Sequence, residues 1–331
     1  MNRRSLLRAG VSAGTLSAAS SLTLVTRALA QAAFPSRPLR IFVPFAAGGP
    51  TDVMARGLSQ KLTEALGQPV LVDNRPGGGA QIAAGALKQS PADGHTLMIG
   101  DIGALAINAS LYQSLSYDAL KDFTPLTLLM SAPIVLTVRA DSPFKSMAEV
   151  VAAAKSGSRP VSFASQGVGT GGHLVMEMFK SMAGIEVAHV PYKGSAPAMQ
   201  DILAGQVDAL FELLPVALTQ AQAGKVRLLA IAAPKRSSLI PDVATTAELG
   251  FAGLSMEAWF AAVTLAGTPD AAVRRLSAEL GKAIRDPAVN KRFVDQGFNV
   301  DPGTPEQLGS LMKTETERWG VVVKRSGARA D

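Results

Sequence analysis

Apolar residues in this chain follow two alternating rhythms. Short unbroken runs, the length of a buried strand, give way to stretches where an apolar side chain returns every third or fourth position, as one helix face requires. Ile41-Phe42-Val43 is the first run, ended by Pro44. Behind it come a loop without bulky side chains, Ala46-Ala47-Gly48-Gly49-Pro50, and then Thr51 and Asp52 at a helix start. Met54, Leu58, Leu62 and Leu66 follow on one face. Residues 161–182 repeat the design, with a run from Val161 to Ala164, the loop Ser165-Gln166-Gly167-Val168-Gly169-Thr170, and a helix from Gly171. A strand, a small-residue loop and a helix start aim free backbone N–H groups at one point, where the helix dipole favours an anion. Two such half-sites predict an anion held in a cleft.

The same alternation fills the rest of the chain. Strands are predicted at 69–72, 96–100, 134–138, 187–190, 209–211, 226–231 and 260–265, and helices at 80–89, 147–155, 196–204 and 217–223. Strands separated by helices imply parallel βαβ units, hence an α/β fold. The run 134–138 is expected to cross into a second lobe and 260–265 to return from it. The first lobe would then comprise residues 31–133 and 255–331, with 134–254 inserted as the second. In the tail Val273, Leu276, Leu280 and Ile284 share a helix face. Pro287 opens another turn, and Thr304 with Gln307 forms a capping box for a last helix through Leu308, Met312 and Trp319.

Composition narrows the class. With 47% apolar and 18% charged residues in 331, the chain is globular and long enough for two cores. The formal charge of +6 invites a nucleic-acid reading, but Arg3, Arg4, Arg8 and Arg27 lie in the first thirty residues, which hold no acid. The remainder is nearly neutral and has no basic cluster interleaved with aromatics, so no nucleic-acid partner is expected. Those first thirty residues read as an export signal: Asn2-Arg3-Arg4-Ser5-Leu6-Leu7-Arg8 resembles a twin-arginine motif, and Ala28-Leu29-Ala30 offers a cleavage site. A general secretory signal that happens to carry two arginines stays open, and either route leads to the periplasm, with removal after Ala30. The chain has no cysteine, so neither disulfides nor thiolate metal sites are available.

Candidate chemistry is sparse. Gly167, Gly169 and Gly172 satisfy G-x-G-x-x-G after a strand and before a helix, the dinucleotide spacing. The acid that should hold a ribose is misplaced, since Glu186 precedes the next strand instead of following it. His95, His173 and His189 are too dispersed for a metal motif. His173, in the first turn after the glycine loop, could donate to an anion or cap locally. Asp52 is expected to cap or pin its loop. Asp101 and Glu212 follow or end strands where open α/β sheets place ligands, so each could cap a helix or recognise a ligand cation or hydroxyl. No nucleophile, base and orienting acid come together, so no catalysis is expected, and neither a cofactor nor a metal.

An ordered set of short motifs spans nearly the whole chain after the signal. These include Phe34-Pro35-Ser36-Arg37-Pro38, Pro44-Phe45 through Gly48-Gly49-Pro50-Thr51-Asp52, and Val72-Asp73-Asn74-Arg75-Pro76-Gly77. Pro91-Ala92-Asp93-Gly94, Ala106-Ile107-Asn108, His189-Val190-Pro191-Tyr192-Lys193-Gly194, Leu203-Ala204-Gly205-Gln206-Val207-Asp208 and Ala266-Gly267-Thr268-Pro269 continue it. In this the chain resembles the receptors of tripartite tricarboxylate transporters, the Bug-type periplasmic solute-binding proteins. The resemblance implies a two-lobe type II periplasmic binding protein fold, each lobe a mainly parallel sheet flanked by helices. Such a protein captures a small carboxylate (a dicarboxylate, tricarboxylate or amino acid) for membrane permease subunits, and a monomer is expected.

Carried over to matching positions, the family's carboxylate-holding loops are Phe45, Ala46, Ala47, Gly48, Gly49, Thr51 and Asp52, and Ser165, Gln166, Gly167, Gly169, Thr170 and Gly171. Two departures stand out. Pro50 occupies a place where relatives commonly have glycine or a small polar residue, and it removes one N–H donor. Asp101 occupies a place where the family often has Thr or Ser; a carboxylate there implies a ligand bearing a cation or donor, with Glu212 as a second candidate. The rival reading is an exported NAD(P)-dependent oxidoreductase using the Gly167–Gly172 loop. A receptor that serves sensing instead of transport is the third.

Overall fold

The first structural unit is the one the apolar pattern marks. In the computed structural model, which describes residues 34–326 and 328–330, β1 (Leu39–Val43) leads through the small-residue loop into α1 (Pro50–Leu66). Met54, Leu58, Leu62 and Leu66 are buried, and Gly67, in the left-handed region, ends the helix by donating its N–H to the Thr63 carbonyl. Each such side chain contributes roughly 1.5–3 kcal/mol by leaving water. From Pro38 the chain forms one compact unit. The proposed signal peptide lies outside the described residues.

The chain continues with β2 (Val70–Asn74), α2 (Gln81–Lys88) and β3 (Thr96–Asp101). A π-helical turn, Gly103–Ile107, and two one-turn helices lead into β4 (Phe123–Arg139). Then come α3 (Met147–Ser156), β5 (Ser162–Ser165), α4 (Gly171–Ala183), β6 (Ala188–Pro191), α5 (Ser195–Ala204), β7 (Ala209–Leu213), α6 (Leu214–Gln222), β8 (Val226–Ala232) and β9 (Glu257–Leu265). The tail is α7 (Asp270–Arg285), α8 (Pro287–Val294) and α9 (Pro305–Ser326). The capping box is present: Thr304 N–H donates to Gln307 Oε1 at 2.7 Å, and Gln307 N–H to Thr304 Oγ1 at 3.3 Å.

β2, β1 and β3 run parallel, and β9 joins β3 antiparallel. β6, β5 and β7 make a second parallel set. β4 belongs to both. Its residues 123–133 pair with β9, and Ile134 to Arg139 pair antiparallel with β7 and β8. Each set therefore has three parallel strands extended by antiparallel neighbours.

β4 departs from expectation by its continuity. Pro125 and Pro133 interrupt the apolar run in sequence, yet one strand of 17 residues passes through both. Pro125 sits at a register shift of the β4–β9 ladder, and Pro133 on its last rung, opposite Glu257, where β4 changes partners. Those are the sheet positions where a missing N–H is tolerated. α6 likewise begins at Leu214, three residues earlier than the period predicts, because Pro215 fits a first helical turn.

Candidate functional site

The loops after β1 and β5 meet the starts of α1 and α4 at one small cavity of about 40 Å³. Gly49, Pro50 and Thr51 line it from α1; Thr170, Gly171 and Gly172 line it from α4. Neither helix start carries a side-chain cap. A third helix, α5, brings Ser195, its first residue, to the same wall. Phe45, Asp101, Ile134, Gln166, Leu213, Ala258 and Phe260 complete the lining. Three helix N-termini around a volume this small bring positive partial charge to it, opposed on the remaining, mostly apolar wall by the Asp101 carboxyl.

A larger cavity of about 790 Å³ adjoins it, sharing Phe45, Asp101, Gln166 and Thr170. Its other walls are the turn Gly77 to Gln81, the segment after β3 (Gly103, Ala104, Asn108, Tyr112), the loop Gly167 to Gly169, and Pro191 to Lys193. The two loops also touch each other's neighbourhoods. Ala46 N–H donates to the Lys193 carbonyl at 2.7 Å, and a Cβ at Gly103 would collide with the Gly169 carbonyl oxygen.

Several loop amides expected to face a ligand are already taken. Ala46 donates to Lys193 and Gly48 to Asp52 Oδ2 at 3.0 Å. Gly167 donates to Ser165 Oγ at 3.2 Å, Gly169 to His173 Nδ1 at 3.2 Å, and Thr170 to the Gly167 carbonyl at 3.2 Å. The donors left to a ligand belong chiefly to the helix starts, and Pro50, at the first position of α1, gives none.

Asp52 is turned away from both cavities. Burial pushes its carboxyl up, but hydrogen bonds from Arg56, Gly48 and Asn74 and the charge of Arg56 outweigh it and hold the group below the usual range. Arg56 reaches both oxygens at 3.0 Å. Asp52 thus pins the first loop, as the sequence anticipates. Ala46, Ala47 and Gly48 line neither cavity.

The second loop rests on uncharged groups. Ser165 Oγ lies 2.7 Å from His189 Nε2, and His189 stacks on His173 with centroids 4.5 Å apart. Burial, then the His189 ring and Lys180, pushes His173 down to about 3; burial and Lys180 push His189 down to about 4. Both rings are neutral at pH 7, and His173 points an acceptor at the loop. His173 therefore braces Gly169 and lines neither cavity.

Of the two strand-end acids, only Asp101 reaches the cavities. Its Oδ1 accepts the Ala104 N–H at 3.0 Å, so it holds the π-helical turn and faces the ligand space at once. Burial raises it to about 6 against the backbone hydrogen bonds. Glu212, fully buried, stands behind the wall: its Oε1 accepts from Ser195 Oγ at 2.9 Å and from Leu213 N–H at 2.7 Å, and burial raises it to about 7. Ser195, Asn108, Tyr112 and the Gly77–Gln81 turn are missing from the sequence-derived set. Gly194 before Ser195 marks a third loop-to-helix step, a signal the sequence does contain.

The glycine spacing of the middle loop serves packing. A Cβ at Gly169 would collide with Asn108 Oδ1, and one at Gly172 with Gln166 Oε1 and the Phe211 carbonyl. Glu186, the only acid near the ribose position, is 95% exposed and pairs with Lys180.

The family model described as "Tripartite tricarboxylate transporter family receptor" matches residues 54–328. Three solved structures share the two-lobe architecture. The periplasmic binding protein BugD is 31% identical at a TM-score of 0.85, over 90% of this chain and 100% of its own. Rpa4515 of R. palustris with adipate is 33% identical at 0.84, over 89% and 99%. MatC of Rhodopseudomonas palustris with bound malate is 33% identical at 0.83, over 88% and 100%.

Proposed function

Because this chain belongs to the tripartite tricarboxylate transporter receptor family, we propose that it captures a small carboxylate in the cavity between the loops after β1 and β5. The observation that carries this is the pair of uncapped helix starts, α1 and α4, facing one small space of about 40 Å³. A carboxylate there accepts from the free N–H groups of Thr51, Gly171 and Gly172 and meets the positive ends of both dipoles. Adipate and malate, bound by two relatives, are both dicarboxylates. A chain of their size fits with one end in the small cavity and the rest in the larger one.

In this reading the lobes are residues 31–133 with 255–331, and 134–254; the change of partners in β4 at Ile134 supports that division. The protein works in the periplasm after loss of residues 1–30, as a monomer, and hands its ligand to permease subunits. It binds and does not catalyse.

A thermal-shift screen of the purified protein tests the reading. Ligands that bind the folded state stabilise it by mass action, by roughly 2.7 kcal/mol at a hundredfold excess over Kd. Melting should rise with one or a few small carboxylates. A rise with NAD(P) and none with carboxylates would favour the exported oxidoreductase instead.

A further inference from the structure

The wall where the two cavities meet offers acceptors, although an anion needs donors. Asp101 lines both cavities and is 6% exposed. Asn108, 1% exposed, lines the larger one. Its Nδ2 donates to the Gly79 carbonyl at 2.7 Å and to Tyr117 Oη at 3.0 Å, while its Oδ1 has no donor among the described residues. Both acceptors border the Gly103–Gly169 contact. A Cβ on Gly103 would stand 3.1 Å from Asp101 Oδ2, and one on Gly169 would strike Asn108 Oδ1. Ser195 adds a third: its proton goes to Glu212, so its lone pairs are what it turns to the small cavity.

Buried acceptors without donors are unfavourable, and a plain carboxylate would be repelled by Asp101. A ligand that brings its own cation removes both difficulties. We propose that the ligand is an α-amino carboxylate, its carboxylate on the starts of α1 and α4 and its ammonium on Asp101, with Asn108 Oδ1 beside it. The α position follows from size, since Asp101 and both helix starts line the same cavity of about 40 Å³. The remaining side chain runs into the larger cavity. Burial holds the Asp101 carboxyl up at about 6, and an ammonium beside it would bring the group back down. This inference rests on the receptor reading above and narrows it.

Titration calorimetry with paired ligands tests it: glutamate with glutarate, aspartate with succinate, leucine with 4-methylpentanoate, phenylalanine with 3-phenylpropanoate. At least one amino acid should bind roughly tenfold or more tighter than its deaminated partner, the worth of a charge-assisted hydrogen bond. Asp101→Asn, which keeps an acceptor for Ala104, should erase that ratio while unfolding stays cooperative. If deaminated members bind as well as or better than the amino acids, or if the ratio survives Asp101→Asn, the inference falls and the receptor reading stands. If no member of any pair binds, the inference falls, and the thermal-shift screen decides the receptor reading.

Discussion

The loops after β1 and β5 have the same plan and opposite supports. Each ends a strand, uses small residues and opens an uncapped helix onto the small cavity. The first is held by charge: Asp52 takes the Gly48 N–H and the Arg56 guanidinium, and Asn74 donates to the Phe45 carbonyl at 3.1 Å. The second is held by neutral groups: Thr170 Oγ1 donates to the Gly167 carbonyl at 2.7 Å, and His173 and His189 brace Gly169 and Ser165. An anion site admits either support on one condition, that no uncompensated charge of its own faces the ligand. Asp52 meets it by turning outward, and the histidines meet it by staying unprotonated.

The largest effect should come from removing the charged support. Asp52→Ala is expected to cost about 2–3 kcal/mol in urea unfolding, since it removes several charge-assisted bonds at a buried position. A loss under half a kcal/mol would place the support of the first loop elsewhere. Next comes Gly169→Ala, which adds a Cβ at φ +86° against Asn108 Oδ1. We expect about 2 kcal/mol of destabilisation. Gly48→Ala, at φ +85° with open space around it, should cost only the backbone term, about 1 kcal/mol. Equal losses at the two glycines would show that the second loop is not close-packed.

The remaining contrast is in acid response. Both histidines have folded-state pKa values below the ordinary 6.5, so the unfolded chain binds more protons as pH falls from about 6.5. Stability from the second loop should therefore decline between pH 6.5 and about 4. Asp52, held below its ordinary 3.8, keeps its contribution until pH falls under that value. Melting temperature should thus fall less between pH 6.5 and 4 in a His173→Gln, His189→Gln double variant than in the parent protein. Asp52→Asn should leave that interval unchanged; a change there would break the contrast between the loops.

The sequence makes the two loops legible because their signals are local. The four-residue spacing from Met54 to Leu66 and the Thr304–Gln307 capping box need no partner to be recognised, and both are present. Asp52 as a pin is legible too, since Arg56 lies one helical turn away. What escapes depends on residues distant in the chain. The predicted strand at 134–138 misses the first part of β4, where β9 supplies the bulge and the last rung that accommodate Pro125 and Pro133. Asn108 looks ordinary until the Gly79 turn and Tyr117 take its amide and leave its oxygen buried beside Gly169 without a donor among the described residues. The amides of Ala46 and Gly169 look free until Lys193 and His173 claim them.

β4 belongs to two sheets without a break, and that limits how the cleft can work. A strand bonded to β9 along its first part and to β7 and β8 along its second can twist about its own axis near Pro133. It cannot slide or part without tearing ladder rungs. The walls of the ligand space are thus mounted on a torsion bar. Were the walls to move, the torsion of β4 would bring Gly103 back to Gly169 in one alignment, so the contact that frames the ligand space would re-form in register.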